Sequence, residues 1–107
     1  MKPEDKRRAL LDFLDEQVFL PAINADPALY GDSGDRKVLA SVRKRVHKTR
    51  TQYQQQYATA AEVRANFLMD LDSKFGQDLA TDMWCLKLQR FEDVRQKFFN
   101  LCATLGV

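Results

Sequence analysis

Residues that interrupt regular structure are scarce in this sequence. It has four glycines and three prolines among 107 residues, and four of these seven lie between residues 21 and 34. An all-β fold needs turn residues every eight to twelve positions or so, and this scarcity argues against one. Apolar residues make up 45% of the chain and charged residues 30%, a balance typical of globular domains. We therefore expect one folded domain over residues 1–107, built from helices.

Long apolar runs are missing as well. No uncharged apolar stretch approaches the 20 or so residues that a membrane-spanning helix requires. Residues 1–5 read Met-Lys-Pro-Glu-Asp and lack the apolar core of a signal peptide. These absences predict a cytoplasmic protein that does not associate with a membrane.

Cysteine and histidine are too few for common catalytic and metal sites. Cys85 and Cys102 fall in one predicted helix about 25 Å apart, too far for a disulfide, and we expect two reduced thiols. His47 is the only histidine, and a catalytic pairing with Cys85 would lack a third orienting group. Cys-x-x-Cys, Glu-x-x-His and calcium-loop patterns are all absent. The sequence thus predicts no metal, no cofactor, no small-molecule substrate and no enzymatic activity.

What is present is a segment, residues 35–75, without glycine or proline. Its apolar residues recur every three or four positions, which places them on one face of a helix. They are Val38, Val42, Val46, Thr49, Tyr53, Tyr57, Ala60, Val63, Phe67, Leu71 and Phe75. We expect one continuous helix of about 62 Å. The alternative is a break near residues 56–59, because Thr59-Ala60-Ala61-Glu62 matches a capping box.

The fold expected from these patterns is all-α, an elongated antiparallel bundle of three helices, or of four if the long helix breaks. The first helix covers about residues 3–20, and a linker with one short turn covers 21–34. The long second helix covers about 35–75, and the third covers about 78–105. Lys87 and Arg90 lie within the apolar arc of the third helix, either as long packed stems or in an ion pair with Asp70 or Glu62.

Dimerisation is expected from the mismatch in helix lengths. A helix of 62 Å or so would extend beyond its shorter neighbours, and the third helix is apolar over more than half of its circumference. Large uncovered apolar faces are usually interfaces, so a second copy of the chain would complete the bundle. The aromatic and aliphatic residues expected at that interface are Trp84, Leu88, Phe91 and Phe99.

Positive charge is concentrated in one part of the chain. The net charge is only +2, but residues 36–64 hold eight basic residues and one acidic residue. A possible binding face for nucleic acid or an acidic partner comprises Arg36, Lys37, Arg43, Lys44, His47, Lys48 and Arg50. The competing interpretation is a solvated helix face that pairs with acidic residues of the first helix, Asp12, Asp15 and Glu16.

The function that these patterns favour is a non-enzymatic helical interaction or assembly module that self-associates through its second and third helices. The alternative is a nucleic-acid-binding protein that uses the basic face from Arg36 to Arg50. No helix-turn-helix, zinc-finger or RNA-binding aromatic signature accompanies that face, so spacing alone does not decide between the two.

Overall fold

The computed structural model describes residues 1–24, 33–73 and 91–107, and every regular element in these ranges is helical. Helix α1 covers Pro3–Leu14 and continues through a π-helical segment, Asp15–Phe19, into helix α2, Leu20–Ile23. Helix α3 covers Ser33–Gln56, α4 covers Ala60–Asp72, and α5 covers Phe91–Leu105. The prediction of an all-α fold is confirmed for this part of the chain.

Helix α1 begins where proline and acidic residues favour a helix start. Pro3 occupies the first turn, where a missing N–H costs nothing, and Glu4 and Asp5 lie at the positive end of the helix dipole. Leu10 and Leu14 are fully buried on the face turned to the other helices. Amphipathic spacing and a favourable first turn together account for this element.

Pro21 does not end the helical run at Leu20, because the chain widens into a π-turn just before it. The Leu20 N–H donates to the Asp15 carbonyl, five residues earlier. The extra residue in this turn rotates the following face, so the consecutive residues Val18 and Phe19 are both buried. Proline cannot donate to the carbonyl four residues earlier, and the widened turn accommodates that missing bond.

The prediction of one continuous helix over residues 35–75 is wrong, and its alternative, a break near residues 56–59, is confirmed. Helix α3 ends at Gln56 and α4 begins at Ala60. Thr59 has an extended backbone, with φ −122° and ψ 157°, and its hydroxyl accepts from the Glu62 N–H at 3.1 Å. The Glu62 carboxylate accepts from the Ala58 N–H at 3.1 Å. The capping box therefore begins a new helix without any glycine or proline.

The break changes how the apolar residues are covered. A 41-residue helix would be about 62 Å long, whereas the greatest extent of the molecule is 46 Å. Helix α1 contacts both α4 and α5, while the π-helical segment and α2 contact α3. Sixteen apolar residues from all of these helices form one buried cluster, which includes Val46, Phe67 and Phe98. Of the ladder residues whose side chains the structure describes, Thr49 and Tyr57 are half-buried and the other seven are buried within this single chain.

Helix α5 ends in a Schellman motif. Gly106 has a φ of 70°, in the left-handed region that glycine adopts without strain. The Val107 N–H donates to the Cys102 carbonyl at 2.9 Å, and the Gly106 N–H donates to the Ala103 carbonyl at 3.2 Å. The predicted third helix thus ends near residue 105. Its expected beginning near residue 78 lies outside the described residues, as do Lys87 and Arg90.

Candidate nucleic-acid interface

The basic face predicted on the second helix lies on α3 and divides into two rows. The buried residues Leu39, Val42, Val46 and Tyr53 fix which side of α3 faces the core. At 100° per residue, Lys37, Lys44 and Lys48 fall within an arc of about 40° on the opposite side. All three lysines are exposed. They form a row, the lysine ridge, that points directly away from the protein.

The arginines occupy a different position. Arg43 and Arg50 lie about 50–70° from the centre of the buried face, at the edge of the core. Both are half-buried. Arg50 donates from Nε to Asp15 Oδ1 at 2.8 Å and from Nη2 to Asp15 Oδ2 at 3.1 Å. Hydrogen bonding to Asp15 raises the pKa of Arg50 above its ordinary value, so this guanidinium stays charged.

The Arg50–Asp15 pair joins α3 to the π-helical segment. Asp15 is one of the acidic residues of the first helix that the sequence suggested as partners for the basic face. The two side chains are 32% and 20% exposed, so water screens their attraction only in part. Arg50 therefore contributes to the fold and is not free to bind a partner.

The remaining predicted residues of this face are placed as follows. His47 is exposed, about 80° around the helix from the centre of the lysine ridge. The side chain of Arg36 lies outside the part of the chain that the structure describes. No acidic residue occurs in the sequence between Arg36 and Gln56, so no carboxylate of α3 itself neutralises the ridge there.

Residues 57–59, which connect α3 to α4, are held by a residue that the sequence did not single out. Arg7 of α1 donates from Nε to the Tyr57 carbonyl at 2.6 Å and from Nη2 to the Gln54 carbonyl at 2.7 Å. Carbonyls at the end of a helix lack partners within it, and a guanidinium satisfies them well. The contact joins residues about fifty positions apart, so no local pattern in the sequence could have predicted it.

A cleft of about 390 Å³ lies beside this contact. Its walls come from α1, the π-helical segment and residues 54–59, and they carry Glu4, Arg7, Arg8, Asp12 and Asp15. The Arg7 and Asp15 side chains already bond to the protein, and the Thr59 hydroxyl accepts the capping bond. In the described part of the chain, no group of three or more His, Cys, Asp or Glu residues could hold a metal ion.

Tyr53 and Asp70 form a part-buried polar contact between α3 and α4. The Tyr53 hydroxyl donates to Asp70 Oδ2 at 2.6 Å, and the Tyr53 side chain is 1% exposed. Burial raises the pKa of Tyr53 far above its ordinary value, and the bond to Asp70 raises it further. Burial also raises the pKa of the neighbouring Tyr57. Tyr53 therefore remains neutral and donates its hydrogen bond to Asp70 at neutral pH.

Cys102 is a buried free thiol. Burial raises its pKa, and the nearby Arg64 opposes this in part. A protonated thiol is a poor nucleophile, so Cys102 has the character of a core residue. Cys85, which the sequence paired with His47 in a conceivable catalytic site, lies outside the described residues.

The predicted dimer interface is described only at one residue. Phe99, on α5, is 39% exposed, while Trp84 and Leu88 lie outside the described residues and so does the side chain of Phe91. Met69, on α4, is 69% exposed. Within the helices that the structure describes, none is both long and apolar enough to cross a membrane.

Comparison with protein-family models, curated proteins and solved structures found no match to this chain. We therefore infer the function from the geometry of α3 and its surroundings.

Proposed function

We propose that this protein is a non-enzymatic helical binding module that binds nucleic acid through the lysine ridge of α3. The observation that carries this proposal is the placement of Lys37, Lys44 and Lys48 in one exposed row opposite the core. The row is about 17 Å long, because its ends are eleven positions apart on the helix. Ammonium groups along a straight helix can contact successive phosphates and release their counterions.

The structure favours the lysines over the arginines as the binding residues. Arg50 already forms a bidentate ion pair with Asp15, so a phosphate would have to displace the Asp15 carboxylate to bind Arg50. The lysine ridge needs no such displacement. Tyr53 is buried and Tyr57 half-buried, so neither offers a free ring on which bases could stack. We therefore expect contacts to the phosphate backbone with little sequence preference.

The test is binding of fluorescent single-stranded and double-stranded DNA and RNA oligonucleotides, followed by anisotropy over a range of salt concentrations. The unmodified protein should bind at low salt, and log K should fall with log salt at a slope of about −2 to −3 for three phosphate contacts. The triple variant Lys37→Glu/Lys44→Glu/Lys48→Glu should lose at least about tenfold in affinity.

A matched control changes net charge equally at other sites. The variant Lys2→Glu/Arg8→Glu/Lys97→Glu reverses three exposed cations on other parts of the chain, outside the lysine ridge, and should weaken binding much less. Equal losses in both variants would show that net charge and not the ridge drives association. Absence of nucleic-acid binding at low salt, together with binding of polyglutamate, would identify an acidic protein partner instead.

Self-association is the second candidate function, in which folded protomers meet through the apolar surface of α5. The partial exposure of Phe99 favours it, since large aromatic residues are common anchors at protein interfaces. Burial of the described ladder residues of α3 and α4 within one chain removes the support that an uncovered ladder gave to a dimer. The apolar arc of the predicted third helix lies in part outside the described residues. Sedimentation and light scattering at micromolar and millimolar concentration measure the mass that tests this candidate.

A further inference from the structure

The connection between α3 and α4 lacks any residue that prevents it from being helical. Residues 57–59 are Tyr-Ala-Thr, and the whole stretch from 35 to 75 contains no glycine and no proline. Helical connections normally use such residues to enforce a turn. The break here instead depends on particular side-chain contacts, which makes the bent arrangement conditional.

The apolar register is the second observation. Placed on a single uninterrupted helix, the buried residues of α3 and α4 would fall within one arc of about 120°. They are Leu39, Val42, Val46, Tyr53, Ala60, Val63, Phe67 and Leu71. The same side chains that form the core around the break would thus form a continuous apolar stripe if residues 57–59 became helical. Such a stripe cannot remain exposed to water and would need another chain to cover it.

The break divides the chain into two parts that contact each other through α1. The first part is α1, the π-helical segment, α2 and α3, in which the π-helical segment contacts the three helices. The second part comprises α4 and α5, and both of these contact α1. If α3 and α4 became continuous, α4 and α5 would leave their own α1, and those of a second copy could take their place with the same contacts.

We infer that two copies of this chain can form a domain-swapped dimer, in which α3 and α4 merge into one long helix and the copies exchange α4 and α5. The inference goes beyond the proposed nucleic-acid binding, and it differs from the surface dimer because it does not require the exposed surface of Phe99. The partner is a second copy because the exchanged contacts, such as the Tyr53–Asp70 hydrogen bond, are those of this chain itself.

Three interactions exist only in the bent form, and they set the balance between monomer and dimer. Arg7 bonds to the Gln54 and Tyr57 carbonyls, Thr59 accepts from Glu62, and Glu62 accepts from Ala58. In a continuous helix these backbone groups would bond within the helix instead. Loss of one such interaction should favour the dimer, and a residue that forbids the continuous helix should prevent it.

Two substitutions test this in opposite directions. Thr59→Ala removes the cap and adds a strong helix former. If loss of the cap lowers the equilibrium constant for the bent form about fivefold in each of the two chains, the dimerisation constant should rise about 25-fold.

Ala60→Pro is compatible with the bent form, because Ala60 is the first residue of α4. Thr59 is also extended, which is the backbone conformation that a residue before proline prefers. In a continuous helix, proline at position 60 would remove the bond to the Gln56 carbonyl.

The experiment refolds each protein from denaturant at micromolar and at millimolar concentration, and measures mass by sedimentation and light scattering. We expect dimer in the unmodified protein at the higher concentration, more dimer in Thr59→Ala, and monomer only in Ala60→Pro. The variant Phe99→Ser should leave this dimer unchanged. Monomer for every protein at both concentrations would overturn the exchange and the surface dimer together.

A dimer that is lost in the Phe99→Ser variant but still forms in the Ala60→Pro variant would overturn the exchange and support self-association through α5.

The shape of the dimer gives an independent check. Spin labels at positions 37 and 69, introduced as unnatural amino acids and diluted with unlabelled chains, report the distance within one chain. A continuous helix places these positions about 48 Å apart, beyond the 46 Å extent of the bent molecule. A shorter distance in the dimer would contradict the merged helix.

Discussion

Single polar side chains, and not the apolar ladder, determine how α3 and α4 are arranged. Tyr53 is a core residue by position, and its ring lies 4.9 Å from that of Tyr57 and 6.5 Å from that of Phe67, measured between centroids. Its hydroxyl would be costly to bury without an acceptor, and Asp70 of α4 supplies one. The pair therefore stabilises the observed placement of α4 against α3.

Tyrosine at position 53 should make the protein sensitive to alkaline pH. The folded-state pKa is raised above the unfolded value of about 10, so the stabilisation is complete below that pH and is lost as pH rises above it. Tyr53→Phe should lower the free energy of unfolding by about 1–3 kcal/mol at neutral pH through loss of the bond to Asp70. The difference from the unmodified protein should shrink above pH 10 or so.

Urea unfolding followed by circular dichroism, repeated from neutral to alkaline pH, measures this difference. Tyr57→Phe is the matched control, because the Tyr57 hydroxyl makes only a 3.4 Å contact with Gln52 and is less buried. It should cost less at neutral pH. An unchanged alkaline slope in Tyr53→Phe would refute the assignment to Tyr53.

At the scale of elements, the end of α3 depends on Arg7. Its guanidinium satisfies two carbonyls that the break deprives of helical partners. Arg7→Ala should therefore lower the free energy of unfolding by about 1–2 kcal/mol. Arg8→Ala removes the same charge from the next residue, which is exposed, and should change stability by less than about 0.5 kcal/mol. Chemical denaturation compares the two, and equal effects would show that charge and not the carbonyl contacts matters.

The same contact explains what the sequence could and could not predict about these elements. The capping box from Thr59 to Glu62 was recognisable, but the apolar register continues through it, so both a bent and a straight helix agreed with the pattern. Arg7 favours the bent form from about fifty residues away, and such long-range contacts leave no local signal. Burial of Val46, Val63 and Phe67 was predictable because both arrangements bury the same face.

The candidate site, too, could be predicted from the sequence only in part. Spacing placed the basic residues of α3 off the core face, which the exposed lysine ridge agrees with. Spacing could not show that Arg50 would pair with Asp15, because that depends on how α1 and its π-helical continuation pack against α3. Periodicity describes one helix at a time, whereas the availability of a charge depends on its neighbours in other helices.

For the molecule as a whole, α1 is the element that connects the others. It contacts α4 and α5, and its continuation through the π-helical segment contacts α3. The ring of Phe13 lies 5.8 Å from that of Phe98 in α5, between centroids. Since one buried cluster includes residues of every described helix, a substitution that disturbs packing in α1 should destabilise the whole core.

Leu14 offers the sharpest test of that cooperativity, because it is fully buried at the junction of α1 and the π-helical segment. Leu14→Ala should lower the free energy of unfolding by about 2–5 kcal/mol through lost burial and the cavity left behind. Met69→Ala, at a 69% exposed position, should change it by less than about 0.5 kcal/mol. Hydrogen exchange of the α3 and α4 amides should then accelerate together in Leu14→Ala, as in a two-state domain. Protection retained in α3 but lost in α4 would show that the two sides of the break unfold separately.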